Sequence, residues 1–309
     1  MCRPDTVFYA GLVGISGAVT GGDASPTQLG LAWLVPTLAW IASLYGGDYF
    51  DRDLDALTKP HRPIPSGRVG ARTARTVMIL LILTGFALTV AVNLRALLLA
   101  GAAAVLGIGY ARVFKGRGLS GNIIRGAPTA LAFLFGAMVV QPFPAPELAI
   151  MAAALWIHDS GSNLLGALGD RDGDRSGGYA TYPVARGDDA ALTALVRFFI
   201  AWVTLVALAS VVIDSYRVPC FYLTLLVAVI LGAVSLVMVV RAPKPVPRMV
   251  CLRAHELIVI ERLLLPSAAI VAADRFFLFT FVVAPSIGAT VLAAFVMRRS
   301  YRLPSPMAA

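Results

Sequence analysis

Long apolar runs separated by short polar connections dominate the chain. Ten runs have the length and composition of a spanning helix, which needs about 20 mainly apolar residues; they lie at 5–21, 27–47, 73–94, 96–114, 119–141, 146–169, 190–213, 218–241, 254–273 and 275–297. No run alternates with a period of two, which argues against a membrane barrel. A helical bundle is then the structure that satisfies backbone groups in lipid. The pattern predicts an all-α, polytopic membrane protein, with residues 1–309 as one domain.

Composition and charge agree with a membrane location. The chain is 58% hydrophobic and 14% charged, whereas about a quarter of the residues in soluble domains are charged. Although the net charge is +9, only three of the 26 Lys and Arg fall in connections placed outside, namely Arg95, Arg217 and Arg275. This positive-inside bias predicts cytoplasmic chain ends and no nucleic-acid partner. The first run has no clear cleavage site, so we expect a retained helix and not a signal peptide.

A cluster of aspartates follows the second apolar run, in the stretch GGDYFDRDLDALTKPHRPIPSGR at 46–68. If the helix continues past Gly47, then Asp48, Asp51 and Asp55 fall on one face, while Asp53 points away. Like charges at these spacings repel, so a positive partner is required. A solvated face neutralised by nearby Lys and Arg is the simplest interpretation of this cluster alone.

A second acidic stripe changes that interpretation. In HDSGSNLLGALGDRDGD, the residues Asp159, Asn163, Asp170 and Asp174 follow steps of four, seven and four, which again places them on one helical face. Polar residues inside a span are costly and are functional candidates by default. Two carboxylate faces at the same end of a bundle suit Mg²⁺, which prefers one or two carboxylates together with substrate phosphates. The pattern therefore favours a site for a diphosphate on a lipid tail.

These motifs resemble those of the UbiA superfamily of intramembrane prenyltransferases. The family motif NDxxDxxxD stands here as Gly47, Asp48, Asp51 and Asp55, followed by RPIPSG at 62–67, and the second motif DxxxD stands as Asp170 to Asp174. Arg3-Pro4 and GYARVFKGRGLSGN, which contains Tyr110, Lys115 and Asn122, are also similar to family segments. Gly47 replaces the leading Asn of the family. Asp48, a water molecule or Asn163 are the three candidates to fill that ligand position.

The resemblance implies a bundle of usually nine transmembrane helices around a central cavity, with Mg²⁺ as the cofactor. The apolar runs suggest ten, so the expected number is nine or ten. By position, Asp51, Asp170 and Asp174 match family metal ligands, and Asp48 and Asp55 match its other motif carboxylates. All five are predicted metal ligands, and Asp51, Asp55, Asp170 and Asp174 are the candidate catalytic residues. Diphosphate binding is expected from Lys59, Arg62, Arg68, Lys115, Asn122 and Arg175. Candidates for acceptor binding or proton relay are Tyr110, His158, Asp159 and Asn163.

For other polar and aromatic residues in the spans, structural and functional interpretations compete. A structural hydrogen bond is favoured for His158 and for Asp159, with proton acceptance as the alternative. The segment RAHELIVIERLLLP carries His255, Glu256, Glu261 and Arg262; internal pairing between Glu and Arg is favoured there, with acceptor recognition second. Arg125 either reaches a phosphate or extends to the membrane interface. Expected wall residues of the cavity are Tyr45, Phe133, Phe135 and Trp156.

The predicted function is Mg²⁺-dependent transfer of a prenyl group from an isoprenyl diphosphate to an aromatic or other lipophilic acceptor, with release of diphosphate. Two alternatives stay open. One is a membrane terpene cyclase that needs no acceptor, and the other is a cation-coupled transporter, although transporter sites usually lie on broken helices near the bilayer centre. The expected location is the plasma membrane of a prokaryote, with the mouth of the active site in the cytoplasm.

Overall fold

The structure, a computed structural model, describes residues 6–273 and 276–302. Arg3, Pro4 and Arg275 lie outside them. The helices are α1 (Val7–Gly21), α2 (Pro26–Phe50), α3 (Arg52–Thr58), α4 (Ala71–Val92), α5 (Leu97–Gly109), α6 (Gly118–Val140), α7 (Leu148–Gly169), α8 (Arg171–Ser176), α9 (Tyr182–Val212), α10 (Pro219–Val240), α11 (Arg248–Ala272), α12 (Phe276–Leu278) and α13 (Ala284–Arg302). Two π-helical segments, Tyr110–Phe114 and Phe279–Val283, continue α5 and precede α13. A two-residue strand, β1, covers Ala180–Thr181.

The predicted all-α class is confirmed. Within the described residues, the first nine predicted apolar runs each fall in one helix or its π-helical extension, whereas the run at 275–297 covers α12, a π-helical segment and part of α13. Six helical segments within the described residues are long and apolar enough to cross a membrane: Pro26–Phe50, Ala71–Val92, Leu94–Phe114, Gly118–Val140, Tyr182–Val212 and Pro219–Val240. Helices α7 and α11 are also 22 and 25 residues long. They are less apolar because they carry polar residues such as His158, Asp159 and Arg262.

Capping residues explain where α2 begins, and the backbone conformation of Asp51 explains why the aspartates near the end of α2 lie on one face. Ser25 and Gln28 form a capping box, in which each side chain accepts a hydrogen bond from the other residue's backbone N–H, and Pro26 occupies the first turn. At the other end, Asp51 keeps a right-handed helical conformation (φ −84°, ψ −1°) between α2 and α3. The helical phase of α2 therefore carries into α3, as the spacing of the aspartates requires.

The long helices form a ring, and close contact between α1 and α6 holds one side of it together. Helix α1 contacts α2, α6 and α11, and the ring continues from α2 through α4, α5, α6 and α7. A Cβ atom at Gly17 of α1 would lie 1.9 Å from the Phe133 carbonyl oxygen of α6. Glycine is therefore required at this crossing, because small residues let membrane helices approach closely.

One end of the bundle, here called the acidic end, carries α3, the connection 59–70, α8 and β1. Arg117 and Gly118 pair in parallel with Ala180 and Thr181. This short ladder fastens the segment after α8 to the start of α6. It therefore brings together residues that are more than 60 positions apart in sequence.

Candidate active site

A cavity of about 420 Å³ opens inside the ring and reaches the acidic end. Its lining is charged at that end and apolar along α4 and α5, where it includes Met78, Leu81, Ile82, Phe86, Leu99 and Ala103. Helix α5 has no buried residue of its own, so its other faces are available to lipid. The cavity thus joins a polar mouth to a hydrophobic wall, which suits a ligand with a charged head and an apolar tail.

The first acidic motif surrounds one guanidinium group. Arg62 Nη1 donates to Asp55 Oδ2 at 2.9 Å and lies 3.4 Å from Asp48 Oδ1. Asp55 is only 3% exposed. By contrast, the Asp53 side chain is 85% exposed and pairs with Arg52. The aspartates thus occupy the faces that the helical spacing predicts.

Asp51 lines the cavity near its mouth and is buried, at 6% exposure. The Lys115 ammonium donates a hydrogen bond to Asp51 Oδ2, and the Tyr179 hydroxyl donates to Asp51 Oδ1 at 3.1 Å. Burial disfavours the charged form of Lys115, but the Asp51 carboxylate outweighs burial and raises the pKa of Lys115 above its ordinary value. Lys115 therefore stays a cation at the mouth of the cavity.

The second acidic motif faces the first across the cavity. Asp170 lies 3.8 Å from Lys59 Nζ and 3.9 Å from Arg248 Nη2. Burial, followed by the charge of Asp170, raises the pKa of Asp174 above its ordinary value. An added cation beside Asp174 would relieve that cost, because opposite charge favours an ionised carboxylate.

The donor set fits Mg²⁺ that arrives with a phosphate ligand. Among the described residues, no three His, Cys, Asp or Glu side chains are arranged to hold an ion by themselves. Instead, carboxylates from both motifs line one cavity, and Asp48, Asp51, Asp55 and Asp170 are each paired with Lys or Arg. Since Mg²⁺ prefers few carboxylates plus substrate phosphates, these same Lys and Arg residues could pair with the phosphates.

A second polar group lies deeper in the same cavity. Asp159 Oδ2 accepts hydrogen bonds from Thr129 Oγ1 at 2.9 Å and Arg125 Nη1 at 3.3 Å. The Arg125 guanidinium also lies 4.5 Å from the centre of the Trp40 ring. Nearer the mouth, Asn122 Nδ2 donates to Asn163 Oδ1 at 2.8 Å. The wall formed by α6 and α7 is therefore polar, unlike the wall formed by α4 and α5.

Comparison with known proteins identifies the group to which this arrangement belongs. The model of the UbiA prenyltransferase family matches residues 7–254. The chain belongs to the UbiA prenyltransferase family. As a UbiA member, it is a prenyltransferase and an integral membrane protein, as the sequence predicts.

Similar proteins come from archaea. The chain is 34% identical over 213 residues to the digeranylgeranylglyceryl phosphate synthase of Methanopyrus kandleri, covering 67% of this chain and 76% of the relative. It is 33% identical over 255 residues to the synthase of the same name from Halobacterium salinarum, covering 79% and 86%.

Solved structures share the fold. A UbiA homologue from Aeropyrum pernix K1 has a TM-score of 0.74 at 17% identity, covering 88% of this chain and 98% of the homologue. A UbiA homologue from Archaeoglobus fulgidus bound to GPP and Mg²⁺ has a TM-score of 0.68 at 17% identity, covering 87% and 96%. At such low sequence identity, the similarity to these two structures shows a shared fold only.

Most residues that the UbiA resemblance singles out line one cavity. Those in its lining are Asp48, Asp51, Lys59, Arg62, Tyr110, Lys115, Asn122, Asp159, Asn163, Asp170 and Asp174. Asp55 lies behind Arg62 and contacts it. Gly47 also faces the cavity, and a Cβ atom there would meet no atom within 4 Å.

Three predicted residues lie elsewhere. Arg68 is held in its turn by Ser66 Oγ at 3.0 Å and by the His61 carbonyl at 2.5 Å. The Arg175 side chain is 62% exposed. His158 lies outside the main cavity and meets Glu261 at 2.6 Å between Nε2 and Oε2, which agrees with the structural hydrogen bond favoured for it. Arg68 and Arg175 are thus not positioned to meet a ligand within this cavity.

Two other expectations concern α11 and the cavity wall. Glu261 pairs with His158, and no ion pair between Glu261 and Arg262 forms among the described residues, so pairing of Glu with Arg in α11 stays a prediction. Of the four expected aromatic wall residues, only Phe135 lines the cavity. Phe133 is fully buried in the core, and Trp156 donates to the Ile123 carbonyl at 2.7 Å, while Tyr45 is absent from the lining. Helix phase explains the error, because hydrophobicity alone does not tell which face an aromatic residue occupies.

Sequence reasoning missed Asp188, which anchors the second acidic motif. Arg171 Nη1 lies 2.5 and 2.6 Å from the two Asp188 oxygens, and the Val246 backbone N–H donates to Asp188 at 2.6 Å. Asp188 follows Gly187, whose positive φ of 80° breaks α9. The available sequence signal was a glycine directly before an acidic residue, because glycine permits this left-handed conformation.

We expect Asp188→Asn to destabilise this end of the bundle. The change removes the charge that pairs with Arg171, whose side chain is 10% exposed, and it should cost about 2 kcal/mol at this partly hydrated site. Thermal unfolding in detergent should show a lower melting temperature. Asp189→Asn is the matched control, because Asp189 is 78% exposed and pairs with Lys244 at the surface. Equal melting temperatures for both variants would contradict the anchoring role.

Proposed function

We propose that the chain transfers a prenyl group from an isoprenyl diphosphate to a hydroxyl group of a lipophilic acceptor of the glyceryl phosphate class. The observation that supports this most strongly is the joint lining of one cavity by both acidic motifs, by cations and by a long apolar wall. The names of the archaeal relatives support the acceptor class. The apolar wall would hold the prenyl tail, while the acidic end would hold the diphosphate.

The proposed metal ligands are Asp48, Asp51, Asp55, Asp170 and Asp174, with Asp51, Asp55, Asp170 and Asp174 as the catalytic set. When bound, Mg²⁺ would neutralise the charge of the diphosphate and make it a better leaving group. The carboxylates now pair with Lys115, Arg62 and Lys59. With the metal and substrate present, these three cations would turn to the diphosphate oxygens, where each adds a charge-assisted hydrogen bond.

The reaction then balances without any further reagent. The allylic C–O bond breaks, and its electron pair leaves with the diphosphate. A bond forms between the allylic carbon and the acceptor oxygen, which loses its proton to solvent or to a basic group. Lys115, Lys59 and Arg62 would stabilise the negative charge that develops on the leaving group, which is the main source of catalysis in sites of this kind. The apolar wall would keep water from the allylic cation.

The proposed membrane arrangement uses α1, α2, α4, α5 with its π-helical extension, α6, α7, α9, α10 and α11 as nine spans, with α13 as a tenth. The basic connections support a cytoplasmic location for the acidic end, and the proposed membrane is the plasma membrane of a prokaryote. Helix α13 contacts α11, which supports a single domain for the whole chain.

The test uses purified protein in lipid nanodiscs with labelled prenyl diphosphates of different lengths. The acceptors are a mono-alkylglyceryl phosphate, the same alkylglycerol without phosphate, and 4-hydroxybenzoate. Mass spectrometry should find a prenylated acceptor and diphosphate in equal amounts, and only when Mg²⁺ is present. A cyclised hydrocarbon formed without acceptor would instead support the cyclase alternative, and no product with any acceptor would refute the proposal.

Gly47 offers a smaller test of the same metal site. We expect Gly47→Asn to strengthen Mg²⁺ binding several-fold with substrate present, because the new side chain has room and adds an oxygen donor beside the cavity. Gly30→Asn is a suitable control, since this position in α2 is also open but does not line the cavity. If the two variants behave alike in a Mg²⁺ titration of activity, position 47 is not part of the metal site.

A further inference from the structure

Arg262 is a buried cation that the reaction described so far does not use. It lies in α11, fourteen residues past Arg248, or about 21 Å along the axis at 1.5 Å per residue. The residue is 5% exposed and lines the main cavity. A charged side chain at such depth is costly unless something compensates for it.

Within residues 6–273 and 276–302, the hydrogen-bonding capacity of Arg262 is not fully used. Its Nε and Nη2 atoms are covered and have no hydrogen-bond partner. The guanidinium lies 4.1 Å from the centre of the Tyr9 ring and 5.5 Å from that of Trp40. The Tyr9 hydroxyl, on a residue only 1% exposed, also has no partner. Three unused donor groups therefore lie close together behind the cavity surface.

The neighbouring carboxylates are directed to other residues. Glu261, although next in sequence, lines a separate small cavity and pairs with His158 through Oε2, while its Oε1 has no hydrogen-bond partner among the described residues. Asp159 is held by Thr129 and Arg125. Stacking on aromatic rings offsets part of the cost of burying a guanidinium, but it leaves the in-plane N–H groups free to donate.

The two walls of the cavity suit two different parts of the substrates. The α4 and α5 wall is apolar and matches a prenyl tail. The opposite wall carries Tyr9, Arg125, Asp159 and Arg262, and an apolar tail there would leave the free donors of Arg262 and the Tyr9 hydroxyl without a partner. An anionic group on the second substrate would complement Arg262, whereas a neutral substrate would leave its donors unsatisfied, at a cost of about 1–3 kcal/mol for each buried group.

We propose that Arg262, together with the Tyr9 hydroxyl, binds the anionic group of the acceptor, a phosphate monoester or a carboxylate. This inference rests on the proposed function. Because Nε and Nη2 are covered, the side chain rotates into the cavity that it lines in order to donate to the acid oxygens. Arg125 supplies further positive charge beside this subsite. Arg262 thus makes the enzyme selective for acidic acceptors over neutral ones.

The experiment compares an alkylglycerol acceptor with and without its phosphate group. For Arg262→Gln, we expect the KM of the mono-alkylglyceryl phosphate to rise by roughly 10- to 100-fold, the loss expected for hydrogen bonds to a charged group. The KM of the neutral alkylglycerol and that of the prenyl diphosphate should change less than about twofold. Arg262→Lys should fall between wild type and Arg262→Gln, since lysine keeps the charge and loses the planar fork. Arg253→Gln, an exposed position on the same helix, should match the wild type.

The outcomes show whether Arg262 binds a phosphate or a carboxylate, and whether it has a binding role or only a structural one. A selective effect on the glyceryl phosphate supports a phosphate ligand, and one on 4-hydroxybenzoate supports a carboxylate ligand. Equal effects on acidic and neutral acceptors, or a raised KM for the prenyl diphosphate, would overturn the inference and leave Arg262 a structural residue. If Arg262→Gln does not fold, the wild type and Arg262→Lys decide, because a wild type without preference for acidic acceptors refutes the subsite. Absence of any prenylated product in the wild type counts against the proposed function itself.

Discussion

Asp51→Asn should lower kcat/KM for the prenyl diphosphate by about three orders of magnitude. Asn keeps the size of the side chain and can still accept the Tyr179 hydrogen bond. It loses the negative charge that the metal requires and that now holds Lys115. A large effect is expected because Asp51 lines the cavity and is buried, so solvent cannot replace it.

Asp53→Asn is the matched control for this prediction. It removes an identical charge two residues away, on an 85% exposed side chain that points out of the cavity, and kcat/KM should stay within about twofold of wild type. Both variants are compared by thermal unfolding, so that a loss of activity is not confused with a loss of folded protein. A folded Asp51→Asn protein that keeps a tenth of the wild-type value would contradict the assignment.

The double variant Asp51→Asn, Asp174→Asn tests whether the two motifs hold the same metal. Residues that act as one unit show strongly non-additive effects. If both carboxylates serve a single metal–diphosphate complex, the double variant should lose at most about tenfold more than the worse single variant. Fully multiplied losses would mean that the motifs act independently.

The sequence predicts the helices and the stripes of this site well because both depend on local periodicity. An apolar composition favours burial in lipid, where a segment must satisfy its own backbone hydrogen bonds, so the apolar runs form helices. Asp48, Asp51 and Asp55 share a face because the helical phase passes through Asp51 without a break. The stripe Asp159, Asn163, Asp170 and Asp174 lines the cavity for the same reason, and His158 lies one residue off that stripe.

Residues whose position depends on turns or on distant pairing are harder to predict. Arg68 follows Gly67, which has a φ of 75°, and the turn directs the guanidinium to the His61 carbonyl. Tyr179 meets Asp51 because residues 117–118 pair with 180–181, a contact without any periodic signal. Arg262 lies beyond residue 254, where the match to the UbiA family model ends, so no motif marked it.

Lys115→Gln should have effects of opposite sign on turnover and on metal binding. In the substrate-free protein, the ammonium competes with a metal for Asp51, because it already donates to Asp51 Oδ2. Removing it should therefore tighten Mg²⁺ binding in the absence of prenyl diphosphate. During the reaction the same ammonium is proposed to stabilise the leaving diphosphate, so kcat/KM should fall by about 100-fold, the effect of losing one well-placed donor.

Two measurements on one preparation test whether Lys115 moves from Asp51 to the diphosphate or only holds Asp51 in place. Electron paramagnetic resonance with Mn²⁺ as a substitute ion gives the affinity of the substrate-free site, and diphosphate release under Mg²⁺ gives turnover. Arg112→Gln, at an exposed position three residues earlier, should change neither. If Lys115 only held Asp51 in place, its loss would weaken metal binding and turnover together. Tighter binding with slower turnover is expected only if Lys115 leaves Asp51 for the diphosphate when the metal binds.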